Sequence, residues 1–111
     1  GLDLSSLRQL TGGDRESIRH LLSDLLTSNR EDLARLERLH RDNDLGGLAD
    51  LVHRVKGGAR IIKARHLLHA CERLEQLFRD GCPLQRLDPL VEALKQAMVA
   101  LTQRLEHFCE H

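Results

Sequence analysis

The sequence predicts an all-α protein, an antiparallel four-helix bundle with an additional short N-terminal helix. Three observations carry the prediction. The composition is rich in Leu, Arg, Glu, Ala and Gln and poor in β-branched and aromatic residues, a mix that favours helix throughout. Each long segment has one apolar stripe and one charged face, and Gly, Pro and Asp/Asn clusters separate the segments. Amphipathic helices joined by short connections bury their stripes best against one another in an up-down arrangement.

The elements follow in order. A short helix is expected around Leu4 to Leu10, stopped by Thr11-Gly12-Gly13. Asp14 is a suitable N-cap for a long helix carrying Ile18, Leu21, Leu22, Leu25, Leu33, Leu36 and Leu39. Ser28 followed by Glu31 could instead read as a capping box that splits this helix. Continuity is the better reading, because the apolar register on both sides fits one stripe. Asn43-Asp44 marks the start of a third segment running to about Lys63, and a tight connection over residues 63–65 leads into a fourth. That fourth segment carries Leu67, Leu68, Cys71, Leu74, Leu77 and Phe78 and ends at Asp80-Gly81-Cys82-Pro83. Asp88-Pro89 reads as an N-cap followed by Pro at the first helical position. The last helix then shows Leu90, Val91, Leu94, Met98, Leu101, Leu105 and Phe108.

With 111 residues and no internal repeat, residues 1–111 are expected to form one soluble domain around a single core. Gly1 followed directly by a patterned segment suggests a domain cut from a longer protein. Seventeen basic and seventeen acidic side chains give no general positive surface for nucleic acid. Phe78 and Phe108 are the only aromatics, which excludes a base-stacking platform. Neither a secretory signal nor a membrane span of roughly 20 apolar residues is visible. Cys71, Cys82 and Cys109 are an odd number without a C-x-x-C pair, which favours a reducing compartment and ordinary core or incidental thiols.

The third helical segment is the informative one. At about 100° per residue, Leu48, Leu51, Val55, Ala59 and Ile62 make its buried stripe, while Gly46, Ala49, Asp50, His53, Lys56, Gly57 and Arg60 lie opposite. His53 therefore faces solvent on a low patch of helix, with a lysine three residues on. Gly57 and Gly58 each cost the helix about 1 kcal/mol relative to Ala. Gly57, at i+4 from His53, clears space for an approaching reactant, and Gly58, nearer the core side, would allow close helix packing. A helix C-cap is the other reading of the pair, disfavoured because Ala59 and Ile62 continue the register. Charge is uneven as well. Residues 51–71 hold Arg54, Lys56, Arg60, Lys63 and Arg65 and no acid, whereas residues 1–50 hold seven basic and ten acidic side chains. Such a cluster around an exposed histidine suits an anionic ligand or an acidic partner.

The run His53-Arg54-Val55-Lys56-Gly57-Gly58-Ala59 resembles the H-x-x-K-G signature of histidine-containing phosphotransfer (HPt) domains, the four-helix-bundle carriers of multistep phosphorelays. The resemblance extends to Leu67, Leu68, Cys71, Leu74 and Glu75, and it is strongest to the C-terminal HPt modules of hybrid sensor histidine kinases of the EvgS and BvgS type. It implies that His53 accepts a phosphoryl group from the aspartate of a receiver domain and passes it to the aspartate of a second receiver. Lys56 would offset the phosphoryl charge, with Arg60 and Arg54 as weaker contributors, and Gly57 would permit approach. Gly46, Ala49, Asp50, Arg54 and Arg60 would line the partner surface, with Asp50 available to orient the ring. Arg60 departs from the smaller residue that many members carry there and would bias partner choice. Mg²⁺ is expected on the receiver, with no intrinsic cofactor and no ATP site. The implied partners are the receiver of the same sensor kinase and that of a response regulator, not nucleic acid or membrane. The implied setting is a monomeric module at the cytoplasmic tail of an inner-membrane kinase.

Two other classes compete. A helical adapter or dimerisation module would use the same leucine stripes but has no need of an exposed histidine flanked by small residues and a lysine. An autonomous enzyme is disfavoured by the lack of a nucleotide-binding glycine loop, a carboxylate pair or a triad. His66 with His69, and His107 with His111, have spacings that put two metal ligands on one helical face, but no third and fourth ligand follows from the spacing. His20 and His40 read as solvated or rim residues.

Overall fold

A computed structural model describes residues 8–9, 11–81 and 84–110. Four helices carry the fold: α1 (Arg15–Arg41), α2 (Leu45–Ile61), α3 (Arg65–Arg79) and α4 (Leu84–Glu110). The expected N-terminal helix lies largely outside the described residues, of which 8, 9 and 11 are helical. The bundle is elongated, 46 × 21 × 18 Å. Its length is set by α1 and α4, since 27 residues at about 1.5 Å each make rods of roughly 40 Å.

Local chemistry starts the first two helices where the sequence places them. Asp14 caps α1 by accepting from the Ser17 amide at 3.3 Å and the Ser17 hydroxyl at 2.8 Å, bonds that hold its carboxyl below the usual range. Asp44 caps α2 through the Gly47 amide at 2.9 Å. A Cβ on Gly47 would sit 2.6 Å from Leu39 Cδ2 and 2.7 Å from the capping Asp44 Oδ2, so a larger residue there would displace the leucine tip and the capping carboxylate. Nothing interrupts α1 at Ser28.

The α1–α2 and α2–α3 turns share one geometry. Asn43 (φ 52°) and Lys63 (φ 55°) are left-handed, and the next amide reaches back five residues, Asp44 to Leu39 O and Ala64 to Ala59 O, both at 2.9 Å. Asparagine adopts this conformation readily; lysine does so at a cost of about 1–2 kcal/mol. Burial of Ala64 and Ile62 on either side holds the second turn shut.

The start of α4 departs from the sequence expectation. The helix begins at Leu84, and Pro89 lies inside it, not at its first position. Leu87 is the reason: it is 1% exposed and sits one turn ahead of Val91 in the stripe continued by Leu94, Met98, Leu101 and Leu105. Burying one leucine is worth about 1.5–3 kcal/mol, enough to offset a hydrogen bond lost to proline near a helix start. Asp88, expected as the cap, instead stands 2.7 Å from His40 Nε2 on α1.

Each helix packs mainly on two neighbours, α1 on α2 and α4, α3 on α2 and α4, which closes a ring around one leucine-rich core. The antiparallel α1–α4 pair is registered by polar links along its length: Arg30 to Glu106 (3.0 Å), Glu37 to Lys95 (3.2 Å) and His40 to Asp88. Buried Asn29 adds two bonds, donating to Met98 O at 2.8 Å and Thr102 Oγ1 at 2.7 Å.

Candidate functional site

The site is built on α2. Leu48, Leu51, Val52, Val55 and Ala59 turn its inner side into the core, with Val52 an addition to the expected stripe. That rotation fixes the opposite ridge. The His53 side chain is 78% exposed, and Gly46, Asp50, Gly57 and Arg60 are exposed beside it, with Ala49 half-buried. A Cβ on Gly57 would meet nothing within 4 Å, so the ring is open along the helix towards its C-terminal end.

Gly58 is not a packing glycine. It is exposed, and a Cβ there also meets nothing within 4 Å, because at 100° per residue it falls on the outer flank of α2 rather than beneath it.

The cation cluster is not free either. Lys56 is half-buried, its Nζ 2.5 Å from Glu75 Oε1 on α3, and Arg54 Nη2 donates to Asp32 Oδ1 on α1 at 2.8 Å. Acids distant in sequence thus hold two of the five cations that the chain groups together in ion pairs. On α2 this leaves Arg60 as the cation without an ion-pair partner among the described residues.

Glu75, which the sequence marks with no role, joins the site from α3. Its second oxygen, Oε2, lies 3.7 Å from His53 Nδ1, a charge contact longer than a hydrogen bond. The hydrogen bond from Lys56 holds the Glu75 carboxyl below its ordinary range, opposed by partial burial and assisted by His53. One carboxylate therefore faces both polar residues of the His-x-x-Lys motif. The signal in the sequence was an acid at the edge of the α3 apolar stripe, next to Leu74 and one turn after Cys71. Asp50, expected to orient the ring, makes no hydrogen bond or ion pair with any described residue.

The neighbouring groups are quiet chemically. Burial, with Glu75 adding to it, pushes the Cys71 thiol up to about 12, so it stays neutral and unreactive. Burial also raises the Asp32 carboxyl, and Arg54 only partly opposes it. His66 and His69 are exposed, and no group of three His, Cys, Asp or Glu among the described residues is placed to hold a metal ion. His111 and Cys82 lie outside the described residues.

The imidazole of His53 thus stands exposed on a helix, with a carboxylate on one side and a glycine one turn on. The Hpt domain family matches residues 20–107, a span that contains all of α2 and α3. The chain belongs to the Hpt domain family. Over 106 residues, 95% of its length, it is 32% identical to the virulence sensor protein BvgS of Bordetella bronchiseptica and, equally, of Bordetella pertussis. It spans only 9% of the length of those relatives. Its fold matches the crystal structure of histidine-containing phosphotransfer protein B (HptB) from Pseudomonas aeruginosa PAO1 with a TM-score of 0.82 and 25% identity, covering 98% of this chain and 94% of that one. As an Hpt domain it is a histidine phosphotransfer carrier of two-component signalling, a class without an ATP-binding catalytic site of its own. Hpt domains interact with receiver domains of kinases and response regulators. No described helix is long and apolar enough to cross a membrane.

Proposed function

We propose that His53 carries the phosphoryl group, taking it from a receiver aspartate and handing it to the aspartate of a second receiver. The observation that carries this reading is the exposed ring of His53 with Glu75 on its Nδ1 side. A carboxylate at Nδ1 favours the proton there, which leaves the Nε2 lone pair free to attack. In the forward step the Nε2–P bond forms as the aspartyl O–P bond breaks, and the aspartate leaves as carboxylate. The Nδ1 proton stays in place. The ring becomes cationic, and Glu75 offsets that charge; the return step reverses the sequence. Lys56, fixed by Glu75 one turn along, supplies positive field to the phosphoryl oxygens, with Arg54 and Arg60 as weaker sources. Gly57 gives access. Mg²⁺ and the acidic pocket belong to the receiver. Gly46, Ala49, Asp50, Arg54 and Arg60 line the surface it covers.

The similarity to BvgS supports placing the domain in a hybrid sensor kinase of the inner membrane, on the cytoplasmic side, between that kinase's own receiver and a response regulator. It acts as a monomer there, because a partner copy on α2 would cover His53.

The test is incubation with a phosphorylated cognate receiver. The expected product is an alkali-stable, acid-labile label that is lost in His53→Gln. Label retained in that variant, or none on the wild type with a competent donor, sinks the proposal.

A further inference from the structure

Resting on that reading, we infer that Ile61, with Arg60 and the groove beside Gly58, is the docking anchor that selects the receiver. Ile61 is the one large hydrophobic side chain exposed among the described residues, at 59%. A single exposed isoleucine is ordinary on a protein surface; its surroundings are what give it meaning. It lies eight residues beyond His53, about 12 Å along the same helix and turned about 80° towards α1. Arg60, seven residues beyond His53, is almost in line with the ring.

A groove of about 230 Å³ runs between α1 and α2 on that flank, lined by Leu25, Asp32, Arg54, Val55, Gly58 and Ile62 among others. It is smaller than the roughly 300–1,000 Å³ of small-molecule sites, and it fits a side chain of a protein partner instead. Gly58 forms its rim. With nothing within 4 Å of a Cβ there, the core has no use for this glycine, although it weakens the helix by about 1 kcal/mol. Leaving the rim low opens the groove.

The occupant is fixed by continuity with His53. A receiver whose aspartate reaches Nε2 in line must cover the helix surface around the ring, and Ile61 stands on that helix about 12 Å further along its axis. Charge agrees. Arg54 and Lys56 are engaged by Asp32 and Glu75, so Arg60 is the α2 cation available to an acid on the partner. The receiver surface that fits is therefore an apolar ridge, entering the groove and covering Ile61, with a carboxylate set against Arg60.

The test compares wild type, Ile61→Ser and Arg60→Ala. Receiver domains of the source organism are loaded with acetyl phosphate, and the one that transfers fastest to wild type is used. Phosphoramidate, a small donor that needs no docking, labels His53 in parallel. For Ile61→Ser the receiver concentration at half-maximal rate should rise on the order of tenfold, with the maximal rate within about twofold and phosphoramidate labelling unchanged. Arg60→Ala should raise it less, and its effect should vanish in high salt. For Ile61→Ser, an unchanged half-saturation point overturns the inference, as does a fall in phosphoramidate labelling, which would mean a damaged site. Sedimentation of wild type as a dimer that Ile61→Ser dissociates would assign the patch to a second copy and overturn it too. If no receiver charges the wild type while phosphoramidate does, the relay reading itself fails.

Discussion

The ammonium of Lys56 sits 2.5 Å from Oε1 of Glu75, so the cation one turn from His53 is held by the neighbouring helix. Both side chains are less than one-fifth exposed, so salt screens the pair less than a surface ion pair. Lys56→Met should lower stability by about 1–2 kcal/mol in urea titration, because Glu75 is left charged and half-buried. Lys56→Met with Glu75→Leu should recover most of that loss without recovering the transfer rate. Full recovery of transfer would show that neither charge serves the phosphoryl step.

The second oxygen of Glu75 makes a separate prediction. In Glu75→Ala the preference for the Nδ1-protonated tautomer of His53 should weaken, read from the ring ¹⁵N shifts. Transfer should slow by about tenfold, equivalent to about 1.4 kcal/mol in the barrier. An unchanged tautomer ratio would remove Glu75 from the mechanism.

Gly58→Ala tests the open flank of α2. Its Cβ meets nothing, and its φ is not left-handed, so the variant should be more stable by about 0.5–1 kcal/mol through backbone entropy and helix propensity. A lower melting temperature would mean that the position is packed after all.

The two shifted acids of the site predict opposite pH responses. The Glu75 carboxyl is held below its ordinary 4.5, so the native state binds that proton less tightly than the unfolded chain. Its contribution to stability is complete above 4.5 and lost as pH falls through the depressed value. The Asp32 carboxyl is raised above 3.8, so its contribution is complete below 3.8 and lost as pH rises through the raised value. Between about pH 6 and 3, Glu75→Gln should therefore lose stability less steeply than wild type, and Asp32→Asn more steeply. Urea midpoints across that range measure both slopes, and parallel curves would contradict the assigned environments.

Asn29 anchors α1 to α4 away from His53. Asn29→Ala removes two donors from buried or half-buried acceptors, Met98 O and Thr102 Oγ1, and should cost about 1–3 kcal/mol. Phosphoramidate labelling of His53 should be unaffected; a change there would tie this link to the site.

Much of the fold was legible because it is local. Asp14 and Asp44 cap their helices as short polar side chains do, and the stripes of α1, α2 and α3 follow from helical periodicity. The same arithmetic turned His53 outward. It failed at Pro89, where an N-terminal signal two residues long was outweighed by burial of Leu87, a contact with other helices. It failed at Gly58 for the opposite reason: a helix interior glycine suggested a packing partner, and only the neighbours could show that there is none.

By itself the sequence determined four amphipathic helices, the ridge on which His53 stands and the glycine that keeps it open, since each depends only on rotation about one helix axis. The tertiary structure alone decided which charges meet. Asp32 lies 22 residues from Arg54 and Glu75 lies 19 from Lys56, and nothing in either separation pairs them. Of the five cations that had looked like one free cluster, Arg54 and Lys56 are held in ion pairs, because packing α1 and α3 against α2 brings Asp32 and Glu75 within reach, and Arg60 is left without an ion-pair partner among the described residues.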